Sequence, residues 1–400
     1  MGIALLGYRE VYISVFLCLI VLIFSFDIYE FLNIEIRIST IERKIVIVFF
    51  FLILYATIYY NPSEFLSLKS LLNLFCYVLL ITVYFNIFPK YLFNNPPYFE
   101  KFIKIIIISG LICSLFGFIM LIFNISPIPA YYDMLISVIA HPNNASIIFT
   151  ITFIPTLFFL YWRWSRLSIF QKWFYSSSFL LQILAQLFTY TRAGMIATAI
   201  GLMIFFLLYY RAKFVLLIPI FTIIILVFGV SFFQAKGYWS FLSRFYLLLP
   251  AFQMITFNRN RLFWGYGISN ALVEYKKNLV VFSPEDFTVN DPHNTYVTLI
   301  LMLGVVLTVI LLIFAFVLIS KAVKRVFSER DPKEILLNIF LVSSACSILV
   351  QGLFDAELVK IDYYTIHYLL ILFGMMYLIQ KGKFISRKNV TPSKLSFLNY

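Results

Sequence analysis

Residues 296–320 read Tyr-Val-Thr-Leu-Ile-Leu-Met-Leu-Gly-Val-Val-Leu-Thr-Val-Ile-Leu-Leu-Ile-Phe-Ala-Phe-Val-Leu-Ile-Ser, with no charged side chain. At 1.5 Å per residue, a helix of this length crosses the roughly 30 Å of hydrocarbon in a bilayer. Ten more apolar runs surround it, at Val11–Phe26, Ile45–Tyr60, Leu71–Phe88, Phe102–Phe123, Ala145–Trp162, Trp173–Tyr190, Ala193–Tyr210, Val215–Phe233, Ile335–Val350 and Tyr363–Ile379. In a bilayer every backbone polar group must be paired within the segment, so runs of this kind fold as helices. The expected fold is all-α: a polytopic transmembrane helical bundle of about 11–12 spans.

Composition agrees. Hydrophobic residues make up 62% of the 400 and charged residues only 12%, against about 25% in soluble domains. The mean hydropathy of +0.95 leaves too little polar surface for a water-soluble exterior. Cys18, Cys76, Cys113 and Cys346 all fall within apolar runs and read as small buried hydrophobes, neither a disulfide framework nor a zinc site. The first run is followed by no small-residue cleavage site and reads as a transmembrane helix.

The formal net charge is +13, yet the basic residues do not form a nucleic-acid surface. They gather in short connections between apolar runs, and that excludes nucleic acid as the expected partner. Of the 31 Lys and Arg, 21 lie in one alternating set of connections and the C-terminal tail, among them Lys90, Lys101, Lys104, Arg163, Arg166, Lys172, Arg211, Lys321, Lys324 and Arg325. That set is expected on the cytoplasmic side, and the bilayer itself is the first partner.

Four regions follow: transmembrane helices over 1–233, one long outer-face loop over 234–295, further transmembrane helices over 296–380, and a basic cytoplasmic tail over 381–400. Loops that stay long while others are short usually carry function. Pro250, Gly265, Gly267, Pro284 and Pro292 break the long loop into turns, and Phe241–Phe257 has the pattern of a helix lying on the membrane.

Polar groups at membrane depth are costly and each needs a reason. Arg192 stands between two runs with almost no loop; it reads either as a bidentate phosphate ligand or as a side chain snorkelling to the interface. Arg244, Arg259 and Arg261 lie in the long loop, and the Gly265-Tyr266-Gly267 turn after them could present backbone amides to an anion. His293, where the loop returns to the membrane, can act as a base near neutral pH with Asp291 orienting it, or can be a polar residue before a helix that Asn294 caps. Asp355 reads as an acceptor-binding carboxylate, an Arg partner or a plain interface charge. No phosphate-binding glycine loop, Asp-x-Asp pair or His/Cys cluster is present, so neither ATP nor a metal is expected, and no cofactor.

These motifs together resemble the O-antigen ligase and O-antigen polymerase superfamily of bacterial membrane glycosyltransferases. His293-Asn294, nine residues, then Gly304 is similar to the family's ligase motif, with Leu307 departing at its last position. Arg192-Ala193 after Thr189 matches a Thr-x-x-Arg-Ala segment. Arg244 ahead of Gly265-Tyr266-Gly267 resembles an Arg-to-Gly-x-Gly stretch, with Arg259-Asn260-Arg261 where the family often has Pro. His141–Ala145 and Gly352–Asp355 are similar to two further family segments.

The resemblance implies metal-independent, inverting glycosyl transfer at the periplasmic face of the inner membrane. Donor and acceptor would be undecaprenyl-diphosphate-linked glycans. His293 would deprotonate the acceptor; Arg192, Arg244, Arg259 and Arg261 would hold the diphosphate; Asp291, Asn294 and Asp355 would orient groups or bind acceptor. Polymerisation of repeat units is favoured by the 47 Phe and 27 Tyr and by Leu307. Ligation of a finished glycan onto lipid A core is the alternative, and a polysaccharide flippase a remote third. A chain-length regulator is a further partner the resemblance leaves open.

Overall fold

The computed structural model describes residues 76–77, 79–124, 134–136, 142–211, 239–257, 259–267, 270–279, 291–356, 358 and 364–380. The runs at Val11–Phe26, Ile45–Tyr60 and Val215–Phe233, the start of the run at Leu71, His141, Glu357 and the tail over 381–400 lie outside the described residues. Everything regular within them is helical. A π-helical turn at Thr82–Ile87 leads into α1 (Phe88–Asn94), followed by α2 (Pro96–Ile122), α3 (Pro142–Arg163), α4 (Ile169–Phe188), α5 (Arg192–Tyr210), α6 (Trp239–Phe257), α7 (Arg259–Trp264), α8 (Ala271–Asn278), α9 (Thr295–Ser328), α10 (Pro332–Gln351) and α11 (Tyr364–Gln380). Among the described residues, α2, α3, α5, α9 and α10 are long and apolar enough to cross a membrane. The chain is a polytopic helical membrane protein.

Local signals set the helix ends. Ser168 and Gln171 form a reciprocal capping box at the start of α4, each side chain accepting from the other's backbone amide at 3.2 and 3.1 Å. Asp331 caps α10 through the Lys333 amide at 2.9 Å, with Pro332 opening the first turn. α9 runs to Ser328, past the expected end at Ser320. The extension carries Lys321, Lys324 and Arg325, cations that favour a helix C-terminus.

α3 is the central helix. Every residue from Ala145 to Leu160 is buried, so its lack of a polar face reflects neighbours on all sides. Phe158 stacks on Phe340 of α10 with ring centroids 4.6 Å apart. On α2, a Cβ at Gly110 would stand 2.5 Å from Thr152 Oγ1, so the two helices approach as closely as glycine allows. Gln182 of α4 donates to Ser178 at 3.1 Å and reaches Thr156 of α3 at 3.3 Å, pairing polar groups that lipid could not.

Cross-helix contacts fix direction. Arg163, ending α3, pairs with Glu100 near the start of α2, and Gln186, ending α4, donates to Ser146 near the start of α3 at 2.8 Å. Ser347 donates to the Ala197 carbonyl at 2.7 Å, while Arg211 donates to the Val326 carbonyl at 3.4 Å, so α5 descends beside the ascending α10 and ends where α9 ends. Gln380 donates to Leu318 O at 3.0 Å, so α11 ends at the level of Leu318, in the last third of α9. One end of the bundle therefore collects Lys101, Lys104, Arg163, Arg166, Lys172, Arg211, Lys321, Lys324, Arg325 and Arg330; the opposite end carries the starts of α3, α5 and α9.

α6, α7 and α8 do not float above the bundle. Ala251, Met254 and Ile255 of α6 and Ala271 and Tyr275 of α8 form a buried cluster with Leu301, Met302, Leu303 and Leu307 of α9. At that level α9 is broken: Gly304 has φ +77°, outside helical geometry. The break frees carbonyls at Leu301 and Met302, and the Gly265-Tyr266-Gly267 turn covers them. Tyr266 N donates to Leu301 O at 2.6 Å and Gly267 N to Met302 O at 3.1 Å. Irregular backbone at membrane depth survives only where protein satisfies it in this way. Gly265 and Gly304 are required by contact as well as by φ: a Cβ on Gly304 would lie 2.1 Å from Phe263 O, and one on Gly265 2.5 Å from Met302 O.

Candidate functional site

His293 sits in a tight turn before α9, in the left-handed region at φ +49°. His and Asn tolerate that region better than most residues. Its amide donates to Asp291 Oδ1 at 2.8 Å. Its Nδ1 stands 3.5 Å from the same oxygen and 4.0 Å from Asp355 Oδ1. The imidazole is 32% exposed; the two carboxylate side chains are only 5% and 10% exposed. A partly exposed imidazole thus has two buried carboxylates on its Nδ1 side.

The turn bearing Asp355 is clamped to the start of α9. Thr295 donates its amide to Gly352 O at 2.8 Å and its hydroxyl to Asp355 O at 2.6 Å, and Asn294 donates its side-chain amide to Leu353 O at 2.8 Å. Asp355 Oδ1 accepts from the Ala356 amide at 2.8 Å. Asn294 also caps α9, its Oδ1 accepting from Tyr296 N and Val297 N, both at 3.0 Å. Asn294 is therefore both the helix cap and a strut between the two acidic turns. Burial pushes the Tyr275 phenol of α8 up from its ordinary value, and the nearby Asp291 carboxylate adds to the effect.

Arg192 opens α5 at the same end of the bundle. Ser347, which reaches Ala197 one and a half turns into α5, lies one turn before the end of α10, and the residues following α10 are those that hold Asp355. The turn before Arg192 is built from hydroxyls: Thr189 Oγ1 donates to Gln186 O at 2.7 Å and is 2.9 Å from Thr191 Oγ1, with Tyr190 at φ +52° between them. Arg192 is the first residue of α5, at the end of the helix where the dipole is positive.

The other expected residues divide. Arg261 places its guanidinium 5.0 Å from the Tyr266 ring centroid, and the Tyr266 hydroxyl donates to Met254 O at 2.9 Å. Arg244 is on α6 and Arg259 opens α7, but both side chains lie outside the described residues. A further histidine, His367, is buried in α11 and stacked on Tyr84 with centroids 4.6 Å apart. One expectation is overturned. The Gly265-Tyr266-Gly267 turn does not offer its amides to an anion: the Gly265 amide donates to Arg261 O at 2.8 Å, and those of Tyr266 and Gly267 are spent on the broken helix. Thr295, which clamps the Asp355 turn, carries no signal in the sequence beyond opening a helix, whereas Thr189, which shapes the turn before Arg192, is the first residue of the Thr-x-x-Arg-Ala segment. Among the described residues, no group of three or more His, Cys, Asp and Glu could hold a metal ion.

Residues 177–312 match the family model described as O-antigen ligase. The matched region contains Arg192, Arg244, Arg259, Arg261, Asp291, His293 and Gly304, and stops short of Asp355. The match supports the O-antigen polymerase and ligase superfamily. No curated protein and no solved structure matches the chain.

Proposed function

We propose, taking the O-antigen polymerase and ligase superfamily as the premise, that this chain polymerises undecaprenyl-diphosphate-linked repeat units into a surface polysaccharide at the periplasmic face of the inner membrane. The observation that supports it most is the pairing of His293 with Asp291 and Asp355 at the bundle end that carries Arg192 and is opposite the Lys- and Arg-rich end.

The chemistry is a displacement. With Nδ1–H facing the carboxylates, His293 keeps the lone pair of Nε2 for the acceptor hydroxyl. The hydroxyl oxygen attacks the anomeric carbon as its proton passes to Nε2, and the bond to the diphosphate oxygen breaks on the opposite face. Configuration inverts, and undecaprenyl diphosphate leaves with the electron pair. Asp291 and Asp355 stabilise the imidazolium that forms. Arg192, with Arg244, Arg259 and Arg261 as further candidates, neutralises charge growing on the leaving group; fixed guanidinium groups do so with little reorganisation. No step calls on a metal or a cofactor. A chain-length regulator is a partner this reading accommodates.

Ligation onto lipid A core is the second reading, favoured by the description of the matching family model. Deleting the gene separates them. Loss of a polymerase leaves single repeat units on the acceptor, whereas loss of a ligase leaves none. Purified protein in vesicles should lengthen lipid-linked oligosaccharide; substrate crossing the bilayer with no new glycosidic bond would assign the chain to transport and end the glycosyl-transfer reading.

A further inference from the structure

α6 is two-faced, and both faces are apolar. Leu247, Ala251, Met254 and Ile255 are buried against α7 to α9. The opposite arc exposes Phe245 (57%), Tyr246, Leu249, Phe252 (50%) and Phe257 (86%). Its two polar members, Gln253 and Thr256, are uncharged, and Thr256 returns its hydroxyl to Phe252 O at 2.9 Å. No charge occurs from Phe245 to Asn258, and Arg244 and Arg259 bracket the stretch. A helix washed by water on that side would expose a large aromatic surface with nothing to solvate it.

The depth of α6 follows from α9. The first charged residue of α9 is Lys321. Counting back roughly 20 residues, the length that spans about 30 Å of hydrocarbon, reaches Leu301. α6 packs on Leu301 to Leu307, so it lies just inside the far boundary of the hydrocarbon layer and not above it. Below that level α9 turns Val309, Ile310, Ile313 and Phe316 outward, and the outer face of α6 continues this lipid-facing surface.

We infer that the uncharged face of α6 is embedded in the acyl chains of the leaflet at the His293 end of the bundle. The helix that the sequence places on the membrane surface is thereby anchored twice, by the broken α9 on one side and by lipid on the other. A monotopic helix with an aromatic face and flanking Arg residues suits that location. The inference does not depend on glycosyl transfer.

The test places nitroxide labels at Leu249→Cys and Phe252→Cys in protein whose four native cysteines are replaced, reconstituted in phosphatidylethanolamine and phosphatidylglycerol vesicles. Ile313→Cys supplies the lipid standard and Lys277→Cys the aqueous one. Both α6 labels should collide with oxygen as the Ile313 label does and be shielded from a water-soluble nickel complex. Nickel access matching the Lys277 label overturns the inference. So does shielding from both reagents, which means that a second copy or another protein covers the face. Should the cysteine-free protein fail to reconstitute, benzoylphenylalanine at Phe252 in the otherwise native chain decides it: lipid adducts support the embedding, and a protein crosslink or no adduct refutes it.

Discussion

Asp291 grips His293 twice, accepting its backbone amide at 2.8 Å and facing its Nδ1 at 3.5 Å with the same oxygen. One carboxylate oxygen thus faces both the backbone amide of the turn and the Nδ1 of the imidazole. His293→Asn is the informative replacement, because Asn also accepts the left-handed backbone. Its chain elongation should fall roughly 10²–10⁴-fold, the range for losing a general base, with protein level unchanged. Asp291→Asn keeps an acceptor for the amide and loses the charge, so its loss should be smaller. Glycan length profiles and immunoblots check both; full-length glycan in His293→Asn removes the mechanism.

Arg192→Ala should lower elongation roughly 10²–10³-fold, as when one fixed donor to a developing negative charge is removed. Arg192→Lys should stay impaired, because an ammonium lacks the planar fork that grips a diphosphate. Initial rates on lipid-linked oligosaccharide compare the pair; a fully active Lys variant argues that Arg192 only reaches for the interface.

Gly304→Ala should be far more damaging than Gly267→Ala. Both have positive φ, which costs an L-residue about 1–2 kcal/mol. At Gly267 a Cβ meets nothing within 4 Å, but at Gly304 it meets Phe263 O at 2.1 Å. Melting in detergent should show a small shift for Gly267→Ala and loss of folded protein for Gly304→Ala. Equal shifts would argue that the turn and the broken helix are not in contact.

Asn294→Ala removes the cap of α9 and the strut to Leu353 O. A lost cap costs about 1 kcal/mol, so the melting temperature of a 400-residue chain should fall by only about 1–2 °C. Because Asn294 has no bond to the imidazole among its contacts, residual activity per folded molecule should exceed that of His293→Asn. The measurement is specific activity after correction for folded fraction.

The helices were legible because hydropathy at this density allows little else: α3 to α5, α10 and α11 fall within a few residues of the apolar runs, while α2 starts six residues early and α9 ends eight residues late, each through a charged turn. The Asp291–His293 pair was legible too, since two residues of separation brings them together in any turn. Asp355 was readable as a candidate but not as a partner of His293, because only the clamp through Thr295 and Asn294 joins two turns so distant in sequence. The break at Gly304 could not be read at all. A lone glycine is tolerated in a helix, and what makes this one a break is the Gly265–Gly267 turn docking on carbonyls it would otherwise strand.

The enclosure of α3 bears on how the protein is made. Its neighbours α2, α4 and α5 emerge from the ribosome close to it, but α10, which supplies Phe340 against Phe158, follows only after a further stretch of chain that includes all of α9. Until then Phe158 waits in a half-assembled sheath. A nascent chain stalled before Pro332 would therefore display an uncovered seam to membrane quality-control proteases, and premature stops ahead of α10 should yield rapid turnover in place of a partly active stub.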